Sequence, residues 1–271
     1  MAVGGAGKRI AFSMKLIESR DNPLVKTWRK WAQAQGRAGA PVLLEGAHVC
    51  ESWLERFGAP DYALFDAARL DDPRLAALIA AVPADCTVAL PAKLLHDLGD
   101  APSDQGVRFV VQPPVPTVTR LIASAVLLDR VQDPGNVGTI LRSAAAAGVG
   151  RVCLSVGCAA AWSSKVLRSA QGAHFALDIV EHADLSALTR ESDVPVVATT
   201  LAQAEDLYSM ALPPEALWVF GHEGQGVSDA VLSAARYRVR IDHERSAVES
   251  LNVAMAATLC LFEHRRQRRQ G

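Results

Sequence analysis

The chain has 271 residues, half of them hydrophobic, and its 28 basic and 29 acidic residues leave a formal net charge of −1. That length accommodates two domains with a sizeable core, and the balanced charge excludes a generally basic nucleic-acid binder. No uninterrupted apolar stretch reaches the roughly 20 residues of a membrane span, and the N-terminus lacks the apolar core of a signal peptide, so a soluble cytoplasmic protein is expected. Five scattered cysteines form no CxxC pair and seven histidines form no HExxH, which points to reduced buried thiols and to no metal.

Charge is unevenly spread. Residues 1–40 hold eight Lys and Arg against two acidic residues, and Arg265, Arg266, Arg268 and Arg269 cluster near the end. Such clusters either attract phosphate backbones or simply solvate the chain. Residues 1–14 read as a disordered extension, with Met14 an alternative start. From 15 to 111 a small α/β domain is expected. Asn22-Pro23 opens a helix carrying Lys26 and Arg29 on one side. Pro41 to Gly46 is a short strand and turn, Gly46 to Leu54 an amphipathic helix, Tyr62–Phe65 and Thr87–Leu90 strands, and Leu75–Ala81 the helix between them. Three prolines in Pro113-Pro114-Val115-Pro116 can continue neither helix nor central strand, so 112–118 is a linker.

Over 119–271 strands alternate with helices, the pattern of a largely parallel sheet with helices on both faces. The strands are Ala125–Asp129, Arg151–Leu154, Val194–Thr200, Leu217–Phe220 and Tyr237–Ile241. An alanine-rich helix stops at Gly148, another covers Lys165 to Ala170, and a long one starts near Ser250. Three segments place polar residues and glycines beside these elements: Asn136 to Arg142, Phe220 to Gly226 and Glu249 to Ala254. An open α/β sheet binds its ligand at such strand ends. Asn136 is positioned to cap the first helix, and Arg142 lies further along it as a phosphate-gripping cation. Gly221 lets a ligand approach the backbone. Glu223 is an anion able to orient Arg142 or to accept a ligand hydroxyl. Ser250 and Asn252 stand at the start of the last helix with its free N–H groups. Lys165 and Arg168, three apart, share one helix face, which either contacts phosphate or is simply solvated. No phosphate loop and no dinucleotide fingerprint is present.

Taken in order, the three segments resemble the three motifs of the SpoU (TrmH-type) RNA ribose methyltransferases of the SPOUT superfamily, over about Val126 to His264. The opening Ile17 to Lys26 and Leu44-Glu45-Gly46 are similar to the substrate-binding domain that precedes many such catalytic domains. The resemblance implies an α/β SPOUT domain with a parallel sheet and a trefoil knot, working as a homodimer on RNA through the C-terminal domain. S-Adenosylmethionine is the implied methyl donor, contacted by Leu201, Gly221, Ile241 and Leu251. Asn136, Arg142, Glu223, Ser250 and Asn252 are the implied catalytic set, and Lys26, Arg29, Lys165 and Arg168 the RNA contacts. The implied reaction methylates a ribose 2′-hydroxyl, most simply in 23S rRNA. A tRNA substrate and a non-catalytic RNA-binding assembly factor are the alternatives. Two positions depart from the pattern. His222 replaces a small residue or Asn, and Asp242-His243 replaces Pro-Met in a connection to Ser250 that is longer and more charged.

Overall fold

The computed structural model describes residues 14–37, 39–99, 105–244 and 246–270. Apart from Met14, the expected N-terminal extension lies outside them. The chain divides into two compact units. One runs to Ala34 and resumes over Pro41–Gln112, and the other combines Gln35–Ala40 with Pro113–Gly271.

The first unit contains strands β1 (Lys15–Leu16), β2 (Val42–Glu45), β3 (Tyr62–Asp66), β4 (Thr87–Leu90) and β5 (Val107–Val111), with helices α1 (Pro23–Ala34), α2 (Ala47–Phe57), α3 (Pro73–Ala81) and α4 (Ala92–His96). Its sheet has the order β1-β4-β3-β5-β2 and is mixed, β5 running antiparallel to both β2 and β3. Strand β5 has no counterpart in the sequence reading. Local chemistry sets the helix starts. Asn22 accepts the Leu24 N–H at 3.0 Å ahead of α1, and Asp72 accepts the Arg74 N–H at 3.0 Å ahead of α3, so α3 begins at Pro73 rather than Leu75. Trp28 of α1 is fully buried and meets Tyr62 edge-on at 5.3 Å. Lys26 and Lys30 of the same helix stay exposed.

The second unit is built on seven parallel strands: β6 (Ala125–Asp129), β7 (Arg151–Leu154), β8 (Asp178–Val180), β9 (Val196–Thr199), β10 (Glu205–Asp206), β11 (Leu217–Gly221) and β12 (Tyr237–Arg240). Their order is β10-β12-β9-β11-β6-β7-β8. Helices α5 (Pro134–Ala147), α6 (Ser164–Ala170), α7 (Leu185–Arg190), α8 (Asp229–Leu232) and α9 (Val253–Arg268) accompany them. Leu127, Ala198 and Val219 face a core closed by Leu185 and Leu188 of α7 and Val231 of α8. The alternate residues of β11 point the other way, where Trp218 donates its indole N–H to His264 of α9 at 3.0 Å. Strands covered on both sides are mostly apolar, and every residue of β6 and β11 is buried, Asp129 at the end of β6 being the one charged residue among them. Each fully buried Leu, Val or Phe contributes roughly 1.5–3 kcal/mol.

Helices α5 and α9 lie side by side and run in the same direction. Asn252 bonds Asn136 at 2.9 Å, Thr258 bonds Ser143 at 2.7 Å, and Arg265 caps the C-terminal carbonyl of Ala147 at 2.9 Å. The three pairs span 116, 115 and 118 residues, a nearly constant offset. Much of the C-terminal basic cluster is therefore occupied within the fold. Arg265 holds α5, Arg266 pairs with Glu263 and Arg268 with Glu215. Burial pushes the thiols of Cys50, Cys153 and Cys260 up, in keeping with buried reduced cysteines.

Candidate functional site

The parallel register sets Gly221, at the end of β11, against Asp129, at the end of β6. Asp129 is buried, and one of its oxygens accepts the Ser228 N–H at 2.7 Å, tying the segment after β11 back to β6. After β6 the chain turns through Arg130, whose φ of 60° is left-handed. Helix α5 then starts on Asp133, which accepts the Asn136 N–H at 2.8 Å, with Pro134 as its first residue. The expected role of Asn136 as the cap is thus corrected: Asp133 fills it, and Pro134, preset for a first turn, fixes the start. The Asn136 side chain is freed for another task.

That task is to join all three sequence motifs. Asn136 donates its amide N–H to Glu223 at 3.0 Å, and its amide oxygen accepts the Asn252 N–H at 2.9 Å. The Asn252 oxygen in turn accepts the N–H groups of Ala254 and Met255 at 2.9 and 3.3 Å, capping α9. At the far end Glu223 also accepts the N–H groups of Gln132 and Asp133 at 3.3 and 3.2 Å. The direction of every bond is fixed, since the carboxylate only accepts and the helix start only donates. Partial burial raises the Glu223 carboxyl. The bonds from Asn136 and from the backbone N–H groups of Glu223, Asp133 and Gln132 outweigh it and hold the group below the usual carboxylate range. Of the two roles the sequence offers Glu223, orienting Arg142 or accepting a ligand hydroxyl, the first has no bond behind it among the described residues; the carboxylate binds the loop after β6 and Asn136 instead.

The second motif is a tight loop closed on itself. His222 and Gly226 exchange backbone bonds at 3.1 and 2.8 Å. The His222 Nδ1 accepts the N–H groups of Gly224 and Gln225 at 2.9 and 3.2 Å, so this histidine, one of the two departures from the family pattern, stabilises the turn. A Cβ at Gly221 would overlap the backbone of Gly226 and Val227. The loop returns across this position, which leaves no room for a side chain.

Arg142 lies on α5 beyond Asn136, exposed, and makes no hydrogen bond or ion pair among the described residues. Asn252 is the helix cap, whereas Ser250 precedes it in the exposed connecting segment, so α9 starts at Val253 and not at Ser250. The C-terminal ends of the neighbouring strands β12, β9 and β11 lead to Ile241, Leu201 and Gly221 respectively, and Leu251 adjoins the α9 cap. Leu201 is half-exposed, and Ile241 and Leu251 are partly buried. His243, the second departure, lies with Nδ1 3.0 Å from the Ile241 carbonyl and Nε2 3.4 Å from that of Glu249, so a neutral ring donates to one of them. Lys165 and Arg168 are both exposed on α6. On α1 of the first unit Lys26 pairs with Asp21 at 3.0 Å and Arg29 is partly buried. Asp133, Arg130 and Gln225 join the site without being candidates from the motifs. The Asp133-Pro134 pair was a usable cap signal, whereas the left-handed turn at Arg130 carries no mark in a residue that is not glycine. Among the described residues no group of three or more His, Cys, Asp or Glu is placed to hold a metal ion, and no helix is long and apolar enough to cross a membrane.

The SpoU rRNA methylase family matches residues 123–262. An uncharacterized tRNA/rRNA methyltransferase of Synechocystis sp. is 33% identical over 263 residues, covering 93% of each chain. The 23S rRNA (guanosine(2553)-2′-O)-methyltransferase RlmP of Bacillus subtilis is 31% identical over 261 residues, covering 93% of this chain and all of that one, 100%. The SpoU methyltransferase AviRb of Streptomyces viridochromogenes, solved with AdoMet, superposes with a TM-score of 0.79 at 26% identity, covering 92% of this chain and 99% of that one. With the three motifs meeting at the strand ends of a parallel sheet, and relatives matching along nearly its whole length, the chain belongs to the SpoU rRNA methylase family.

Proposed function

We propose that the protein transfers a methyl group from S-adenosylmethionine to a ribose 2′-hydroxyl of RNA, with 23S rRNA as the substrate. The observation that carries this reading is the hydrogen-bonded series Asn252–Asn136–Glu223, which ties the three motifs into one constellation at the start of the helix that carries Arg142. What supports a donor site at the strand ends is the aliphatic surface of half-exposed Leu201 and partly buried Ile241, suited to a flat base. Leu201, Gly221, Ile241 and Leu251 would hold the donor, and when bound it supplies an electrophilic methyl carbon on sulfur.

The chain's own residues do the rest. The Arg142 guanidinium, without a partner among the described residues, is suited to grip an RNA phosphate bidentately. Its charge also favours the oxygen as the 2′-hydroxyl gives up its proton to solvent and bonds to carbon. Ser250 and Asn252 orient the ribose from the start of α9. Asn136 and Glu223 fix the loops that frame it, and holding the hydroxyl in line with the reacting carbon supplies much of the acceleration. Lys26, Arg29, Lys165 and Arg168 are the outlying phosphate contacts. The same reading includes a trefoil-knotted C-terminal unit, a cytoplasmic enzyme, and a homodimer through that unit. Met255, Leu259 and Phe262 support the dimer, standing 51%, 40% and 44% exposed at helical spacing along α9.

Mass-spectrometric mapping of ribose methylation in rRNA and tRNA from cells with and without the gene tests the proposal. Loss of one 2′-O-methyl group in 23S rRNA is expected. Loss in tRNA instead would keep the chemistry and overturn the substrate, and no change in either pool would overturn the activity.

A further inference from the structure

Arg130 is one of four residues other than glycine at positive φ among those described, and it sits where β6 gives way to the first motif. A Cβ disfavours this conformation and glycine adopts it freely. The local fold does not need a side chain here, because the backbone N–H of Arg130 already secures the turn by donating to Ser155 Oγ at 2.9 Å. Yet the guanidinium is deliberately held. Nε donates to buried Asp129 at 3.2 Å and Nη1 donates to Gln225 of the second-motif loop at 2.9 Å. These two bonds use two of the five N–H donors of an arginine, and Nη2 has no partner among the described residues. The side chain is 34% exposed. A cation fixed on two sides and open on a third, at the strand end facing Gly221, is pre-organised for an oxyanion.

Resting on the methyltransferase reading, we infer that Arg130 is a substrate-positioning residue that grips an RNA phosphodiester beside the reacting ribose. Arg142 and Arg130 then hold the backbone from two different elements, α5 and the end of β6, and set the register of the ribose between them. Backbone strain retained at a site in this way is a mark of function rather than of folding economy.

The test compares wild type with Arg130→Gly and Arg130→Lys, using rRNA purified from cells lacking the gene as the probe. Melting temperature, S-adenosylmethionine binding by calorimetry, and rRNA affinity across a salt series are read. Arg130→Gly relieves the left-handed strain, so its melting temperature should hold or rise and donor affinity should not change. Its rRNA affinity should fall about tenfold and its salt slope should drop by about one, the signature of one lost phosphate contact. Arg130→Lys should keep the slope while binding more weakly than wild type, because a point charge replaces a fork. A Gly variant with a lowered melting temperature but unchanged rRNA affinity and slope would make Arg130 a latch between loops and overturn the inference. If the Gly variant fails to fold, rRNA binding by the Lys variant identical to wild type overturns it equally. Absence of methyl transfer by the wild-type enzyme on any RNA would overturn the underlying reading instead.

Discussion

Asn136 and Asn252 lie 116 residues apart and meet amide to amide, Asn252 donating to the Asn136 oxygen at 2.9 Å. Each has its other amide group engaged, Asn136 toward Glu223 and Asn252 toward the first turn of α9. Neither amide can flip without breaking two bonds. Replacing Asn252 by Ala removes a helix cap, which costs about 1 kcal/mol and should lower the melting temperature by roughly 2–4 °C for a protein of this size. Asn136→Ala leaves the cap intact but unties Glu223, and kcat/KM should fall about 100-fold from misplacement. A double-mutant cycle in stability should return a coupling of about 0.5–1.5 kcal/mol. Strict additivity would show that the two amides do not act together.

Arg142 makes no hydrogen bond or ion pair among the described residues, so its removal should be silent in the fold. Arg142→Ala is expected to change stability by no more than about 0.5 kcal/mol and to keep donor affinity while losing at least about 100-fold in kcat. Thermal melts, calorimetry and single-turnover transfer to rRNA separate these effects. Retained turnover would remove Arg142 from the mechanism.

At position 222 the loop depends on a single acceptor. Nδ1 of His222 receives two backbone N–H groups, an arrangement that requires that nitrogen to be unprotonated. His222→Ala leaves both donors without their partner and should raise KM for the methyl donor severalfold by loosening the turn. His222→Asn restores an acceptor on a short side chain and should recover most of the loss. Gly221→Ala cannot be accommodated, because a methyl group there overlaps the backbone of Gly226 and Val227. It should cost roughly 1–3 kcal/mol or more, read by chemical denaturation.

Legibility in the sequence followed burial and length. Strands β6, β7 and β11 are continuous apolar runs and could be read directly, because strands covered on both faces have nothing to alternate. Strand β5 was hidden by Arg108, a buried arginine second in Val107–Val111, and by the prolines that follow it. Strands β1 and β10 have two residues each and β8 has three, too few to show a period. The residue types of the site could be named from the motifs. Their partners could not, since that depends on which strand ends become neighbours. Glu223 was matched with Arg142 by opposite charge, but the parallel register of β6 and β11 gives it the loop after β6 instead.

His174 gives a pH dependence. Its ring is 1% exposed, Nε2 bonds the Ala161 carbonyl at 2.7 Å, and Nδ1 is buried without a partner. Burial depresses it to about 4, against a weaker opposing effect of the Ala161 bond. Because the folded state resists the proton, this contribution is fully present above about pH 6.5 and is lost as pH falls toward 4, by about 3 kcal/mol in all. Burial pushes the carboxyl of nearby Glu181 up, and that group works in the opposite sense, favouring the fold at low pH. The comparison is therefore between wild type and His174→Gln: stability measured from pH 7 to 4.5 should fall more steeply in wild type. Parallel curves would remove His174 as the cause.

The exposed stripe on α9 bears on assembly. Phe262→Arg puts a charge among Met255, Leu259 and their counterparts, and should convert a dimer to a monomer in sedimentation velocity without unfolding the chain. A wild-type protein that sediments as a monomer at micromolar concentration would exclude the dimer.

The nearly constant offset of about 116 residues between partners on α5 and α9 constrains how the protein is made. Helix α5 leaves the ribosome early, yet one flank of it can be covered only by a helix ending at Arg268. Until then the nascent C-terminal unit must keep its alanine-rich side open to water or to a chaperone, because contacts of such long sequence separation form late. The Asn136–Glu223 pair is therefore completed only once α9 is in place, because α9 carries the capping asparagine that closes the circuit of amides.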